Sequence, residues 1–198
     1  MRREELYSIL FTAFQLAWAF VWAARHIQAR RRRQYAANRA VADTNTRYKI
    51  ISCSLFFAQN ALCIASFWSD AQVLLKIHDS DSMRLVGLLL TSAATVLYFK
   101  SLRDLGQNYS PCFDSHVPHE MIYTGPYRFT RHPMYLAKLL VAVGNFVISG
   151  SLWFVLMFVY LALETARTIF NEEKYLTTTV PEYAEYKMRT KRMIPFVF

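Results

Sequence analysis

Five glycines and six prolines in 198 residues are too few for a collagenous, linker-rich or low-complexity chain, and no segment repeats another. Cysteine is scarcer still. Cys53, Cys63 and Cys112 form no CxxC pair and no Cys/His cluster with metal-ligand spacing, so neither a disulfide framework nor a metal site is expected. Two of them lie in one apolar run, where they read as small buried apolar residues. Acidic charge is also sparse. Fourteen Asp and Glu face 23 Lys and Arg, which leaves a net charge of +9. An excess of that size suits nucleic acid, but its placement argues otherwise. The basic residues concentrate between apolar runs, as in cytoplasmic loops beside anionic headgroups, and no nucleic-acid-binding module accompanies them. Membrane lipids are the expected partner and nucleic acid is not.

Apolar and aromatic residues are abundant, at 54% and 16%. Five runs carry them: residues 6–24, 50–68, 85–99, 133–148 and 152–166. The first is long enough to span a bilayer, which takes about 20 residues at 1.5 Å each. A cleaved signal peptide is its rival reading. Arg25 and Arg30-Arg31-Arg32-Arg33 follow at once as a stop-transfer pattern, which favours a retained helix. Only Ser149-Gly150-Ser151 separates the last two runs, the signature of a tight helical hairpin. From Glu164 onward the polar residues Glu164, Arg167, Asn171 and Lys174 keep three- and four-residue steps. The fifth helix is therefore expected to continue past the apolar run until Pro181 breaks it, with a short helix over 182–192 after it.

Charge sets the orientation. Eight Lys and Arg lie between the first two runs, two between the second and third, four in the next loop, none in the Ser-Gly-Ser hairpin and six in the tail. The alternation predicts an all-α polytopic membrane protein with five transmembrane helices, an outside or lumenal N-terminus and a cytoplasmic helical C-terminal tail. The segments 100–132 and 167–198 then share the cytoplasmic side. Residues 1–99 would supply three N-terminal spans, and residues 100–198 the chemistry.

That chemistry gathers in Gly125-Pro126-Tyr127-Arg128-Phe129-Thr130-Arg131-His132-Pro133-Met134-Tyr135. Gly-Pro signals a turn, and Pro133 suits the first position of a helix. Arg131 and His132 then sit at a helix mouth, whose free N–H groups and dipole favour a carboxylate or phosphate. Tyr127 and Tyr135 offer ring faces and hydroxyls. Two readings fit these residues: a site for a ligand with an anionic end and a flat aromatic part, or an interfacial anchor snorkelling to the headgroups. Glu172 and Glu173 likewise read either as a solvated helix face or as groups that hydrogen-bond hydroxyls or a cation.

Residues 100–198 resemble the isoprenylcysteine carboxyl methyltransferase family and its relatives, the phospholipid N-methyltransferases. The resemblance rests on Leu105-Gly106-Gln107-Asn108-Tyr109-Ser110, His119 ahead of Gly125-Pro126-Tyr127-Arg128, Arg131-His132-Pro133-x-Tyr135, Glu172-Glu173-x-x-Leu176, and Glu182-Tyr183-x-x-Tyr186 followed by Arg192 and Pro195. It implies S-adenosyl-L-methionine as methyl donor. The implied cofactor contacts are His119, Glu120, Met121, Ile122, Tyr127, Arg131, His132, Pro133, Met134, Tyr135 and Glu172. Arg167 and Glu173 are the implied catalytic residues, and Arg167 and Arg192 the implied substrate contacts. Arg167 lies five residues before Glu172 where the family pattern has four, a displacement of about 100° on a helix. The family binds its cofactor without a glycine-rich Rossmann domain.

The resemblance further implies a lipophilic acceptor drawn from the bilayer. A prenylated cysteine's carboxylate is already ionised and needs only a cation such as Arg167 to hold it. A phosphatidylethanolamine amine, with a lysine-like reference pKa of about 10, must first lose a proton, which Glu173 or His132 would take. The carboxylate asks less of the residues present. NADPH-dependent sterol reductases resemble the chain around the Arg-His pair but carry asparagine where Met134 stands. A non-catalytic membrane scaffold would have no need of so complete a polar signature. The sequence leaves open the natural acceptor, the oligomeric state, and whether the membrane is endoplasmic reticulum or bacterial inner membrane.

Overall fold

A computed structural model of the protein describes residues 3–31, 46–68, 75, 77, 80–109 and 121–194. The expectations resting on Arg32, Arg33, Ser110, Cys112, His119, Glu120 and Pro195 lie outside these residues. Among the described residues every regular element is helical: α1 (Arg3–Arg31), α2 (Thr46–Trp68), α3 (Asp81–Leu105), α4 (Pro133–Ser149), α5 (Trp153–Thr179) and α6 (Tyr183–Arg189). Short 3-10 turns at Gly106–Asn108 and Gly125–Arg128 stand between α3 and α4.

Local chemistry explains most of the boundaries. Asp81 in the first turn of α3 and Arg103 in its last complement the helix dipole. The third apolar run, which looked short at 85–99, therefore becomes a helix of 25 residues. Pro133 opens α4, where its missing N–H costs nothing. Gly150 closes it at φ 64, donating its N–H to Phe146 O at 2.8 Å. α5 continues unbroken to Thr179 and ends in extended Val180, the geometry that a following proline imposes.

α3 and α5 are each long and apolar enough to cross a membrane by length and composition. The apolar stretches Glu5–Val21, Ser54–Ala65 and Pro133–Ser149 are shorter. Leu16, Phe20, Leu89, Val96, Leu156 and Leu163 are each more than 60% exposed, spread over α1, α3 and α5, as expected of side chains that face lipid.

The tightest packing joins α3 to α4. Their contact faces are lined by Gly87, Thr91, Ala94 and Thr95 on one helix and by Ala137, Val141, Gly144 and Ile148 on the other. Small residues let helix backbones approach closely where no water drives them together. A Cβ on Gly87 would lie 2.8 Å from both Gly144 O and Ile148 N. Those are backbone atoms that cannot turn aside. Gly87→Ala is therefore expected to force the pair apart and cost about 1–3 kcal/mol, read as a lower melting temperature in detergent.

Two clusters fill the bundle. One, around Tyr98, Leu102, Tyr109, Ala137, Val141 and Leu161, lies toward the end of the bundle where α4 starts. The other, formed by Phe11, Cys63, Ile148 and Phe154, lies toward the hairpin. At the hairpin end the α2–α3 connection is tied in, with Ile77 N–H donating to Gly150 O at 2.8 Å. The opposite end gathers the start of α4, the turn before it, the end of α5 and the tail. The described parts of 100–132 and 167–198 thus meet at one end of the molecule, and the polar chemistry collects there.

Candidate active site

Gly125 starts the site. Its φ of 57 suits glycine, and a Cβ there would fall on the Asp104 carboxylate. The turn Gly125–Arg128 buries Tyr127, whose carbonyl accepts a 2.8 Å hydrogen bond from the Tyr186 hydroxyl on α6. Burial and the nearby Glu172 carboxylate push the Tyr127 phenol well above its usual range, so its hydroxyl stays a neutral hydrogen-bonding group. The chain then runs beside the tail. Arg131 N–H donates to Lys191 O at 2.9 Å, His132 N–H to Arg192 O at 3.1 Å, and Thr130 Oγ1 to Arg192 O at 2.9 Å.

Glu173 is the hub. It ends the buried stripe of α5, Phe154, Leu161, Thr165, Ile169 and Glu173, and is 3% exposed. Arg131 Nε donates to its Oε1 at 2.9 Å, and His132 Nε2 lies 3.3 Å from the same oxygen. Arg192 donates to Oε2 through Nε at 3.1 Å and Nη2 at 3.0 Å. Arg131 has further work: its Nη1 donates to Lys187 O at 3.1 Å and to Thr190 O. A buried carboxylate is tolerable only when charge and hydrogen bonds compensate it, and two guanidinium groups and an imidazole do so here.

Glu172, the neighbouring residue, faces outward. Its side chain is 28% exposed. It accepts a 2.9 Å hydrogen bond from the Tyr135 hydroxyl, and His132 Nδ1 lies 3.9 Å away. The His132 ring stacks on Tyr135 with centroids 5.5 Å apart and planes inclined at 28°. The accessible part of the site is thus the Glu172 carboxylate and the half-buried Tyr135, with His132 and Tyr127 buried beside them. Among the described residues no guanidinium or ammonium group pairs with Glu172.

The structure therefore brings together Tyr127, Arg131, His132, Pro133, Tyr135, Glu172, Glu173 and Arg192. Several of them hold positions other than the sequence suggested. Arg131 was expected to meet an incoming ligand, but its guanidinium is committed to Glu173 and to two tail carbonyls. Arg192, expected at the substrate, also holds Glu173, and its guanidinium carbon lies 4.7 Å from the Phe170 ring centroid. Glu173, expected to be catalytic, is the buried anchor of the cluster rather than a group facing a cleft. Arg167 is exposed and not part of the cluster. At 100° per residue it points about 140° away from Glu172 and about 120° from Glu173. Met121 packs against the tail cluster of Val180, Tyr183 and Tyr186, and Met134 against the core beneath α4. Ile122 is half-buried. His119 and Glu120 lie outside the described residues.

Two contributors had no role assigned from sequence. Asp104, from the last turn of α3, sits against Gly125. Tyr186 anchors the turn through the Tyr127 carbonyl. Tyr186 was visible as half of a Glu-Tyr-x-x-Tyr motif; nothing local marked Asp104.

The phospholipid methyltransferase family profile matches residues 83–181. A 76-residue stretch is 33% identical to the cobalt-zinc-cadmium resistance protein CzcN of Cupriavidus metallidurans. It covers 38% of this chain and 35% of that protein. Among solved structures, the eukaryotic intramembrane Ras methyltransferase ICMT (isoprenylcysteine carboxyl methyltransferase) superposes with a TM-score of 0.53 at 20% identity. The superposition covers 77% of this chain and 52% of that one, a likeness of fold. The family match takes in half of the 198 residues, including the Gly125 turn, α4 and the Glu172-Glu173 pair, so this chain belongs to the phospholipid methyltransferase family of membrane methyltransferases.

Proposed function

We propose that the chain binds S-adenosyl-L-methionine at the end of the bundle where α4 begins and catalyses methyl transfer to a lipophilic acceptor. One observation carries the reading: Tyr127, His132 and Tyr135 gather around the partly exposed Glu172 carboxylate at a helix mouth. The residues fit that cofactor. Glu172 offers a carboxylate to a sulfonium charge or to ribose hydroxyls, and the stacked His132 and Tyr135 rings offer a flat face. When bound, the cofactor supplies an electrophilic methyl carbon. The protein's part is to hold the acceptor in line with it and exclude water. Five spans, an outside N-terminus and a cytoplasmic tail complete the proposal. Residues 1–99 serve as the membrane scaffold and residues 100–198 as the methyltransferase core, in an endoplasmic reticulum or bacterial inner membrane.

The first reading of the acceptor is a prenylated cysteine, whose carboxylate arrives ionised and needs only a cation. The family resemblance offers Arg167 as that cation, which would act from the face of α5 turned about 140° from Glu172. The second is the amine of phosphatidylethanolamine. What favours it is Glu172, an accessible carboxylate that can hold an ammonium group and take its proton. Radiolabelled methyl transfer to N-acetyl-farnesylcysteine and to phosphatidylethanolamine separates them. The first reading expects an alkali-labile ester, lost in Arg167→Ala. The second expects an alkali-stable product, lost in Glu172→Gln and retained in Arg167→Ala. Transfer to neither acceptor, by a protein that does bind the cofactor, would reject both.

A further inference from the structure

Midway between the two ends, the bundle carries a polar layer that the candidate active site does not use. Gln59 and Asn145 are fully buried, and Gln15, Asn60 and Thr91 are at most 6% exposed. Four helices supply them: α1, α2, α3 and α4. Asn145 Nδ2 donates to Asn60 Oδ1 at 2.9 Å, and Asn60 Nδ2 donates to Phe56 O at 2.6 Å. Phe11 and Cys63 share a cluster, and Gln15 and Gln59 lie one turn from each, so the antiparallel α1 and α2 put the two glutamines at one level. Thr91 Oγ1 abuts Gly144, beside Asn145. Asn145 lies twelve residues beyond Pro133, about 18 Å along α4 from the helix mouth.

Among the described residues, no protein group partners Gln59 Nε2, Gln59 Oε1, Asn145 Oδ1, Thr91 Oγ1 or Gln15 Nε2. Each such atom, buried away from water, costs free energy. Adhesion between helices explains the Asn60–Asn145 pair, because interhelical amide bonds hold membrane bundles together. It does not explain Gln59, which is unmet at both its donor and its acceptor.

We propose that Gln59, Asn145 and Thr91, with Gln15 alongside, form an intramembrane site for a small neutral group that both donates and accepts hydrogen bonds. The unmet atoms set that chemistry: the amide N–H groups of Gln15 and Gln59 donate, and the amide and hydroxyl oxygens of Gln59, Asn145 and Thr91 accept. Among the described residues no ionised side chain belongs to the layer, so an ion would lack a counter-charge at a depth where that is costly. A purely apolar occupant would leave the polar atoms unmet. Two sources can supply such a group: water, or the hydroxyl or carbonyl of a lipophilic molecule from the bilayer.

Cys63 is a built-in reporter. It is fully buried, and its Sγ lies 3.8 Å from Asn145 O. Hydroxyl radicals generated by X-ray pulses oxidise buried side chains only where water touches them. The full chain in lipid nanodiscs is irradiated and Cys63 oxidation read by mass spectrometry, with native mass spectrometry of the unirradiated protein alongside. Dose-dependent oxidation of Cys63, falling to background in Gln59→Leu or in Thr91→Val, supports the site with water as occupant. An unoxidised Cys63 together with a retained hydroxyl- or carbonyl-bearing lipophile, absent from the same variants, supports it with a lipid occupant. An unoxidised Cys63 and no retained molecule in the wild-type chain overturns the proposal, whether or not the variants fold. Oxidation or retention unchanged in both variants overturns it as well.

Discussion

Glu173→Ala is expected to cost about 3–5 kcal/mol of stability, the range seen when one member of a buried charged group is removed. The reason is what it leaves behind. Arg131 is 9% exposed, His132 is 5% exposed, and both lose their shared oxygen at once. Arg192 loses both of its bonds to Oε2. Two guanidinium charges then sit side by side with no carboxylate between them. Glu173→Gln tests the charge apart from the shape, since it keeps one acceptor oxygen but removes the negative charge between the two guanidinium groups. The combined change Arg131→Met, Glu173→Leu, Arg192→Met removes the whole cluster and is expected to destabilise less than Glu173→Ala alone. Thermal melts of the three variants in one detergent check the order. A Glu173→Ala protein as stable as the wild type would mean that the cluster does not hold the tail.

Arg131→Lys is expected to lose about 2–3 kcal/mol despite keeping the charge, because hydrogen bonds to charged groups of this kind are worth that much. The planar guanidinium reaches in two directions. Nε bonds Glu173 on α5, and Nη1 bonds the carbonyls of Lys187 and Thr190 at the end of α6. A lysine ammonium is one compact point and cannot serve both. If it stays with Glu173, the two carbonyls lose a donor, and α6 loses its clamp to the helix mouth. Hydrogen exchange should therefore rise over α6 in this variant, before any change in α3 or α4. The clamp also positions the functional groups, because the carbonyls of Lys191 and Arg192 in the tail accept the N–H groups of Arg131 and His132. Cofactor affinity is expected to fall together with α6 protection. Unchanged exchange over α6 would count against the clamp.

Much of the helical layout was legible from sequence because its signals are local. Pro133 and Gly150 mark the ends of α4 through backbone chemistry that depends on no distant residue. The polar steps from Glu164 to Lys174 showed that α5 outruns its apolar segment, and the structure carries it to Thr179. The gathering of Arg131, His132, Tyr135 and Glu172 followed from the match to family motifs. The assignment of partners was not legible. Arg131 and Arg192 look equally suited to an external anion. Only the fold, which brings residues 131, 173 and 192 together, shows that Glu173 already occupies both. Helical arithmetic set Arg167 on a different face of α5 from Glu172, and the structure leaves it exposed there. The polar layer was hidden for another reason: Gln59, Asn60 and Asn145 sit singly or in pairs inside long apolar runs, where averaging over the run conceals them. The close crossing of Gly87 and Gly144 depends on which helices meet, which no local pattern states.

Binding of S-adenosylhomocysteine to the purified chain in detergent, measured by calorimetry beside NADPH and with His132→Ala as control, tests the central claim most directly. His132 stacks on Tyr135 and stands between Glu172 and Glu173, so truncating it disturbs both the ring face and the carboxylate of the site. The account predicts saturable binding of S-adenosylhomocysteine, none of NADPH, and a loss in His132→Ala of about tenfold or more, equivalent to about 1.4 kcal/mol. Binding of NADPH with no binding of S-adenosylhomocysteine would contradict it.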